Sequence, residues 1–363
     1  MDSTIAIAPT VSPAKGPTVP LPSGAWELSV YADEIYAPEA GLETGLELLQ
    51  RRGIHYTTLR TIGGDSFLRL SDAELDGLAR TLGKYAMKVS ALEAPLFKCP
   101  LRENNALTWP DCRGFSDDMT FEDHLWFMAR AFQIADRFDT GEVRCFAFWK
   151  ERNLDEAFPE IVDKLGIAAA RAEAAGHPLH LQNQPDTYAG SGRDLARIID
   201  AVGSKYLTAC YDVGNAGRVG AEPFPGDYHA LRGRLSSVQV AFQAVDIRCG
   251  WGLPDPDTSG PKDSYIPFYF WQQSPLPISG WVQIGDQRFD LAGPRTFLPP
   301  ERTVGVDYRS LLRALRQDGY AGPIGVDTSY FLTGAGADTH REIEANFDLT
   351  ISGLRRLIAE LGS

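Results

Sequence analysis

Short runs rich in β-branched and aromatic residues alternate along this chain with amphipathic runs of about ten to twenty residues. That rhythm constrains the fold more than any other feature, because it is the pattern of βα units around a parallel sheet. The strand-like runs are Glu27–Tyr31, His55–Arg60, Lys88–Glu93, Glu142–Phe148, Pro178–Asn183, Tyr206–Asp212, Ser236–Ala241 and Pro323–Thr328. Helical periodicity marks Leu42–Arg52, Ser71–Tyr85, Phe121–Phe138, Leu154–Ala175, Gly192–Val202, Tyr308–Asp318 and Glu342–Leu361. Ser71-Asp72-Ala73-Glu74 carries the capping-box signature of a helix start. Eight strands, each followed by a helix, close a barrel. The predicted fold is therefore α/β: a single (β/α)8 TIM barrel over residues 25–363, preceded by an extended arm.

Two segments depart from the rhythm. Residues 1–24 are rich in Pro, Thr, Ser and Ala, which predicts a flexible N-terminal arm; they lack the basic start and apolar centre of a signal peptide. About 65 residues separate the seventh strand from the seventh helix, where about 2–6 is usual. This insert, 242–303, holds Trp251, Tyr265, Phe268, Tyr269, Phe270, Trp271 and Trp281. Trp281–Ile284 and Gln287–Leu291, around Gly285-Asp286, read as a small β-hairpin. A loop after a barrel strand leaves the face that carries active sites, so the insert is a lid over the pocket or a contact between subunits of a homo-oligomer. Trp271 would then lie above bound substrate, stacked on a ring or plugging the insert to the barrel.

Composition excludes several classes. A net charge of −13 disfavours nucleic acid as a partner. No apolar run is long enough for a membrane span. Five cysteines without a C-x-x-C pair read as reduced, mostly buried thiols, which predicts a cytoplasmic protein.

Motifs at the strand ends are more specific. Tyr31-Ala32-Asp33-Glu34-Ile35, Thr58-Leu59-Arg60, Ala94-Pro95-Leu96-Phe97-Lys98, Asn183-Gln184-Pro185-Asp186-Thr187-Tyr188, Tyr211-Asp212-Val213-Gly214-Asn215-Ala216 and Gly305-Val306-Asp307-Tyr308 occur in that order, ahead of Asp318-Gly319-Tyr320-Ala321-Gly322-Pro323. Together they resemble the xylose isomerase-like TIM-barrel superfamily, the sugar phosphate isomerase/epimerase group. The resemblance implies a metal-assisted enzyme on sugars or polyols. In such proteins a Glu, an Asp, a His and a Glu at the ends of strands five to eight hold a divalent cation.

This chain departs from that set. The four positions match Gln182, Asp212, Gln239 and Asp327, so two carboxylates and two amides stand where the resemblance implies three carboxylates and an imidazole. Amide oxygens are poor ligands for transition ions. The expectation is that no cofactor is tightly bound; a hard cation such as magnesium, manganese or calcium could bind weakly through these four residues. As core filler, the two amides would bond each other and Asp212; as a repurposed pocket, they would bind substrate.

Candidate catalytic residues are Asp212 and Asp327, a carboxylate pair able to act as acid and base without metal, together with His124 and His180. His180 shares a strand face with Gln182, as general base or as a satisfied core imidazole. His124 opens the third helix, near substrate or in a capping role. Candidate substrate-binding residues are Glu34, Arg60, Glu93, Lys98, Gln182, Gln239 and Trp271. Glu34 binds hydroxyls or caps the first helix with Asp33, Arg60 pins carboxylates or touches ligand, and Lys98 meets a substrate oxyanion or only solvent. The expected function is an enzyme abstracting a proton next to a carbonyl or hydroxyl on a small carbohydrate-like or polyhydroxylated ring, as an isomerase, epimerase or β-elimination lyase. Within the resembled superfamily, the strand-two and strand-three motifs look nearest to the branch of C-glycoside deglycosidase-type lyases. The alternative is a non-catalytic sugar- or metabolite-binding barrel that lost its metal.

Overall fold

Eight short strands close on themselves in the computed structural model. It describes residues 26–35, 40–63, 65–102, 119–150, 153–219, 221–241 and 308–327, with backbone segments between 248 and 290 and part of a helix from 347 to 361. The barrel strands are β1 (Leu28–Tyr31), β2 (Tyr56–Leu59), β3 (Lys88–Leu96), β4 (Val143–Cys145), β5 (Leu179–Gln182), β6 (Leu207–Asp212), β7 (Leu235–Ala241) and β8 (Ile324–Asp327). All neighbours pair in parallel, and β8 closes onto β1 through Leu28 opposite Ile324. This is the (β/α)8 barrel expected from the alternation of runs.

Helices α1 (Leu42–Arg51), α2 (Asp72–Lys84), α3 (Phe121–Phe138), α4 (Leu154–Ala175), α5 (Gly192–Val202), the short α6 (Val213–Arg218) and α7 (Tyr308–Gln317) surround the strands. Local chemistry sets their starts. Ser71 Oγ accepts the Glu74 N–H while Glu74 Oε2 accepts the Ser71 N–H, the capping box the sequence signalled. The same reciprocal pair forms at Thr120 and Asp123 and at Ser191 and Asp194, with Asp in place of Glu. The connection after β6 carries no long helix: α6 is followed by a turn at Pro223–Asp227 and one helical turn at Tyr228–Ala230.

Alternation along each strand divides the molecule into two compartments. Val30, Val143, Leu179, Leu181, Ala209, Val238, Val240, Ile324 and Val326 face outward into one apolar layer shared with the helices. Each fully buried Leu or Ile in that layer stabilises the fold by about 2 kcal/mol. The inward positions are polar instead: Ser29, Tyr31, Ser90, Glu93, Arg144, His180, Gln182, Asp212, Ser237, Gln239 and Asp327. Barrels of this type usually fill that space with branched apolar side chains.

In the insert, the expected hairpin pairs Ile284 with Gln287 across residues 285 and 286, within a four-stranded antiparallel sheet that also holds Arg248–Trp251 and Asp263–Tyr265. The side chain of Trp271, the lid role of the insert and the N-terminal arm lie outside the described residues. No helix among the described residues is long and apolar enough to cross a membrane. Cys99, Cys145 and Cys210 are buried free thiols.

Candidate active site

Strand register brings the polar residues to one end of the lumen. Asp212 is the last residue of β6 and stands opposite Gln239 on β7; Gln239 in turn stands opposite Gly325, two residues before Asp327. Asp212, Gln239 and Asp327 thus share the inner face, with β7 between the two carboxylates. A Cβ on Gly325 would press on the Val238 carbonyl at 3.3 Å and would touch Gln239 Oε1 at an ordinary 3.6 Å.

Asp212 is fully buried and rigidly held. Its Oδ1 accepts the Asn215 N–H at 2.8 Å, where the chain turns into α6. Asn183 clamps the same residue by its backbone, donating to the Asp212 carbonyl at 2.8 Å and accepting the Asp212 N–H at 2.7 Å. Gln182 Nε2 donates to Asp212 Oδ2 at 3.4 Å. Gln182 Oε1 is buried, and no donor among the described residues reaches it. A buried amide oxygen without a donor costs free energy that a ligand hydroxyl would recover.

Gln239 is tied to a second group. Its Oε1 accepts from the Tyr31 hydroxyl at 2.9 Å and from Arg144 Nη1. The same Arg144 nitrogen reaches the Tyr31 oxygen at 2.6 Å, and the Tyr31 hydroxyl also meets Glu93 Oε2. Arg144 completes its shell with Glu142 Oε1 at 2.7 Å and Glu93 Oε2 at 3.5 Å. Burial opposes the charge on Arg144, but Cys210, Tyr31, Glu142 and Glu93 more than offset it, and its pKa lies well above the usual arginine value. Burial also pushes the Tyr31 phenol well up, with Glu93 and Asp327 adding to it and Arg144 and Arg60 opposing it.

The other predicted residues occupy distinct places. His180 stands opposite Arg144 on β5, two residues below Gln182. Burial lowers its pKa, aided by Arg144 and opposed by Glu142 and the Gly141 backbone. Glu34 and Asp33 both pair with the buried Arg60, Asp33 at 3.1 Å, and that guanidinium lies 4.7 Å from the Tyr31 ring centroid. Lys98 is half-buried with Nζ 4.0 Å from the Phe146 ring centroid. His124 is fully buried in α3; its Nδ1 accepts the N–H of Phe97 at 3.0 Å, where the chain takes φ +62°. Burial brings the His124 pKa down to about 4, against a small opposing pull from Asp123.

Arg144 and Glu142 were not singled out in the sequence, and Tyr31 and Asn183 stood there only as members of strand-end motifs, with no role given. The available signal was Glu142-Val143-Arg144-Cys145, in which charges alternate with apolar residues inside a run that reads as a strand buried on both faces.

These residues do not fit a tightly held transition ion. The Gln239 oxygen is already engaged by a guanidinium, and Gln182 turns its NH2 group, not its oxygen, toward Asp212. A divalent ion at Gln239 would stand near the Arg144 charge, a repulsion of roughly 7 kcal/mol at a separation of ~5 Å and an effective dielectric of ~20. Among the described residues no three His, Cys, Asp or Glu side chains converge as a ligand set.

Comparison with known proteins agrees with this architecture. A family model described as xylose isomerase-like TIM barrel matches residues 46–357. No curated protein matches the chain in sequence. Among solved structures, a xylose isomerase-like TIM barrel protein from Mycobacterium smegmatis in complex with magnesium superposes with a TM-score of 0.54 at 14% identity, covering 92% of this chain and 98% of that one. The probable 3-DHS dehydratase AsbF from Bacillus anthracis gives 0.52 at 12%, covering 89% and 98%. D-psicose 3-epimerase with D-tagatose from Clostridium cellulolyticum H10 gives 0.54 at 12%, covering 90% and 99%. At such identities the likeness is one of fold.

Proposed function

Because the chain belongs to the xylose isomerase-like TIM-barrel family, we propose that it is an enzyme acting on a small carbohydrate-like or polyhydroxylated ring. The reaction is removal of a proton next to a carbonyl or hydroxyl, leading to isomerisation, epimerisation or β-elimination. Structures of similar fold bear the names of an epimerase and a dehydratase, and both names describe chemistry at such a carbon. The observation that carries the reading is Asp212: a buried carboxylate, fixed by Asn215 and Asn183, beside an amide oxygen that lacks a donor. A ring hydroxyl donating to Gln182 Oε1 would place its own carbon near Asp212 Oδ2. Asp212 then accepts the proton and Asp327, across β7, returns it or protonates a leaving group; such paired carboxylates serve acid–base chemistry when their environments differ. Glu93 and Lys98 bind further oxygens at the rim. Two amides at strand ends and the guanidinium bound to one of them support a reaction that proceeds without tightly bound metal.

The test is solvent exchange. The protein is incubated in D2O with a panel of ketohexoses, inososes and glycosides, and deuterium at carbon is followed by NMR. Exchange on at least one compound, reduced at least ~100-fold in Asp212→Asn, is the expected result. Saturable binding of a panel member without exchange or turnover favours the non-catalytic binding barrel and overturns the enzyme reading.

A further inference from the structure

Of the four strand-end residues that match a cation site, Gln239 is engaged by a positively charged side chain. Arg144 enters the lumen from β4 and is almost wholly buried. Its guanidinium reaches Gln239 Oε1, the Tyr31 hydroxyl, Glu142 and Glu93, residues from four different strands or strand ends. A guanidinium is planar, permanently protonated and able to face several oxygens at once. Those are the properties needed to hold carboxylates and amide oxygens together without an exchangeable ion.

We infer that Arg144 is a covalently fixed replacement for a divalent cation in this cleft: it neutralises Glu93 and Glu142, orients Gln239 and Tyr31, and keeps divalent ions out of the site. The inference deepens the proposed function only by locating the positive charge of that cleft. It is separable from it, because ion binding is read without substrate. Arg144 acts through Tyr31 and Gln239 and is a positioning residue. Its charge favours electron density on a ligand oxygen placed beside it. A bound ion can be stripped by a chelator; a side chain cannot.

The experiment titrates Mn2+ into the full chain and follows the free-ion electron paramagnetic resonance signal, with melting temperature measured in parallel. Wild type is expected to leave the Mn2+ signal undiminished, and its melting temperature to be the same in EDTA, Mg2+, Mn2+ or Ca2+. In Arg144→Met, Glu93 and Glu142 lose their counter-charge. The melting temperature then falls by about 5 °C or more, as expected when a buried pair is broken. Mn2+ now binds and restores part of that fall, as does free guanidinium at low millimolar concentration. Arg144→Lys, which keeps the charge, covers the case in which the methionine variant does not fold; it is expected to exclude Mn2+ as wild type does. Stoichiometric Mn2+ binding by wild type or by Arg144→Lys overturns the inference, as does a folded Arg144→Met that takes up no Mn2+. None of these outcomes bears on whether Asp212 moves a proton.

Discussion

His124 shows how one buried side chain ties pH to stability. Its folded pKa of about 4 lies below the roughly 6.5 of an unfolded histidine, so the unfolded chain takes the proton first. The contribution is intact above about pH 6.5 and is lost as pH falls toward 4, by at most about 3 kcal/mol. His124→Gln retains an acceptor for the Phe97 N–H and removes the titration. Urea midpoints between pH 7 and pH 4 should therefore fall less steeply in the variant, while His180, shifted in the same sense, preserves part of the slope. An unchanged slope would show that His124 is not the group titrating. At this scale Gln182, Asp212 and Gln239 were legible because they stand at the strand-end positions of the resembled family's ligands; strand period adds only which neighbours share their face. Arg144 was not: two of its partners stand 113 and 95 residues away, and nothing in the local run names them.

Elements were legible where an apolar run or a cap is self-sufficient. The strand cores and the Ser71–Glu74 box follow from local sequence, whereas strand lengths do not. β3 continues through Leu96, beyond Glu93, and β4 stops at Cys145, because pairing with neighbours decides where a parallel strand ends. The start of α5 shows a constraint the sequence conceals. Gly192 donates its N–H to the buried Asp227 Oδ2 at 2.6 Å, and a Cβ there would stand 2.9 Å from Asp227 Cβ and 3.0 Å from the Asp227 carbonyl. Gly192→Ala should cost about 1–3 kcal/mol by overpacking, although alanine is the better helix former. A denaturant midpoint equal to or above that of wild type would refute this.

For the whole molecule, closure of the barrel was readable because eight strand–helix alternations leave few topologies. Where the insert packs was not, since a long connection carries no periodic signal of its place. Its aromatic content still supports a specific proposal: as a lid, it makes Trp271→Ala lower turnover or ligand binding at least ~10-fold with little change in melting temperature. Dissociation on a sizing column with normal activity per chain would assign the insert to a subunit contact instead. The arm is the converse case. Its composition predicts that deleting residues 1–21 shifts the melting temperature by less than about 2 °C, and a larger fall would show that it packs against the barrel.

The two-compartment barrel also has a consequence for descent. Inward and outward residues interleave in the same strands, so a mutation on the lumen side alters reactivity while the apolar shell keeps its buried area. Lineages built on such a frame can drift from one chemistry to another through folded intermediates. Arg144 is the exception: paired with Glu93 and Glu142, its charge is lost without cost only if those neighbours change with it.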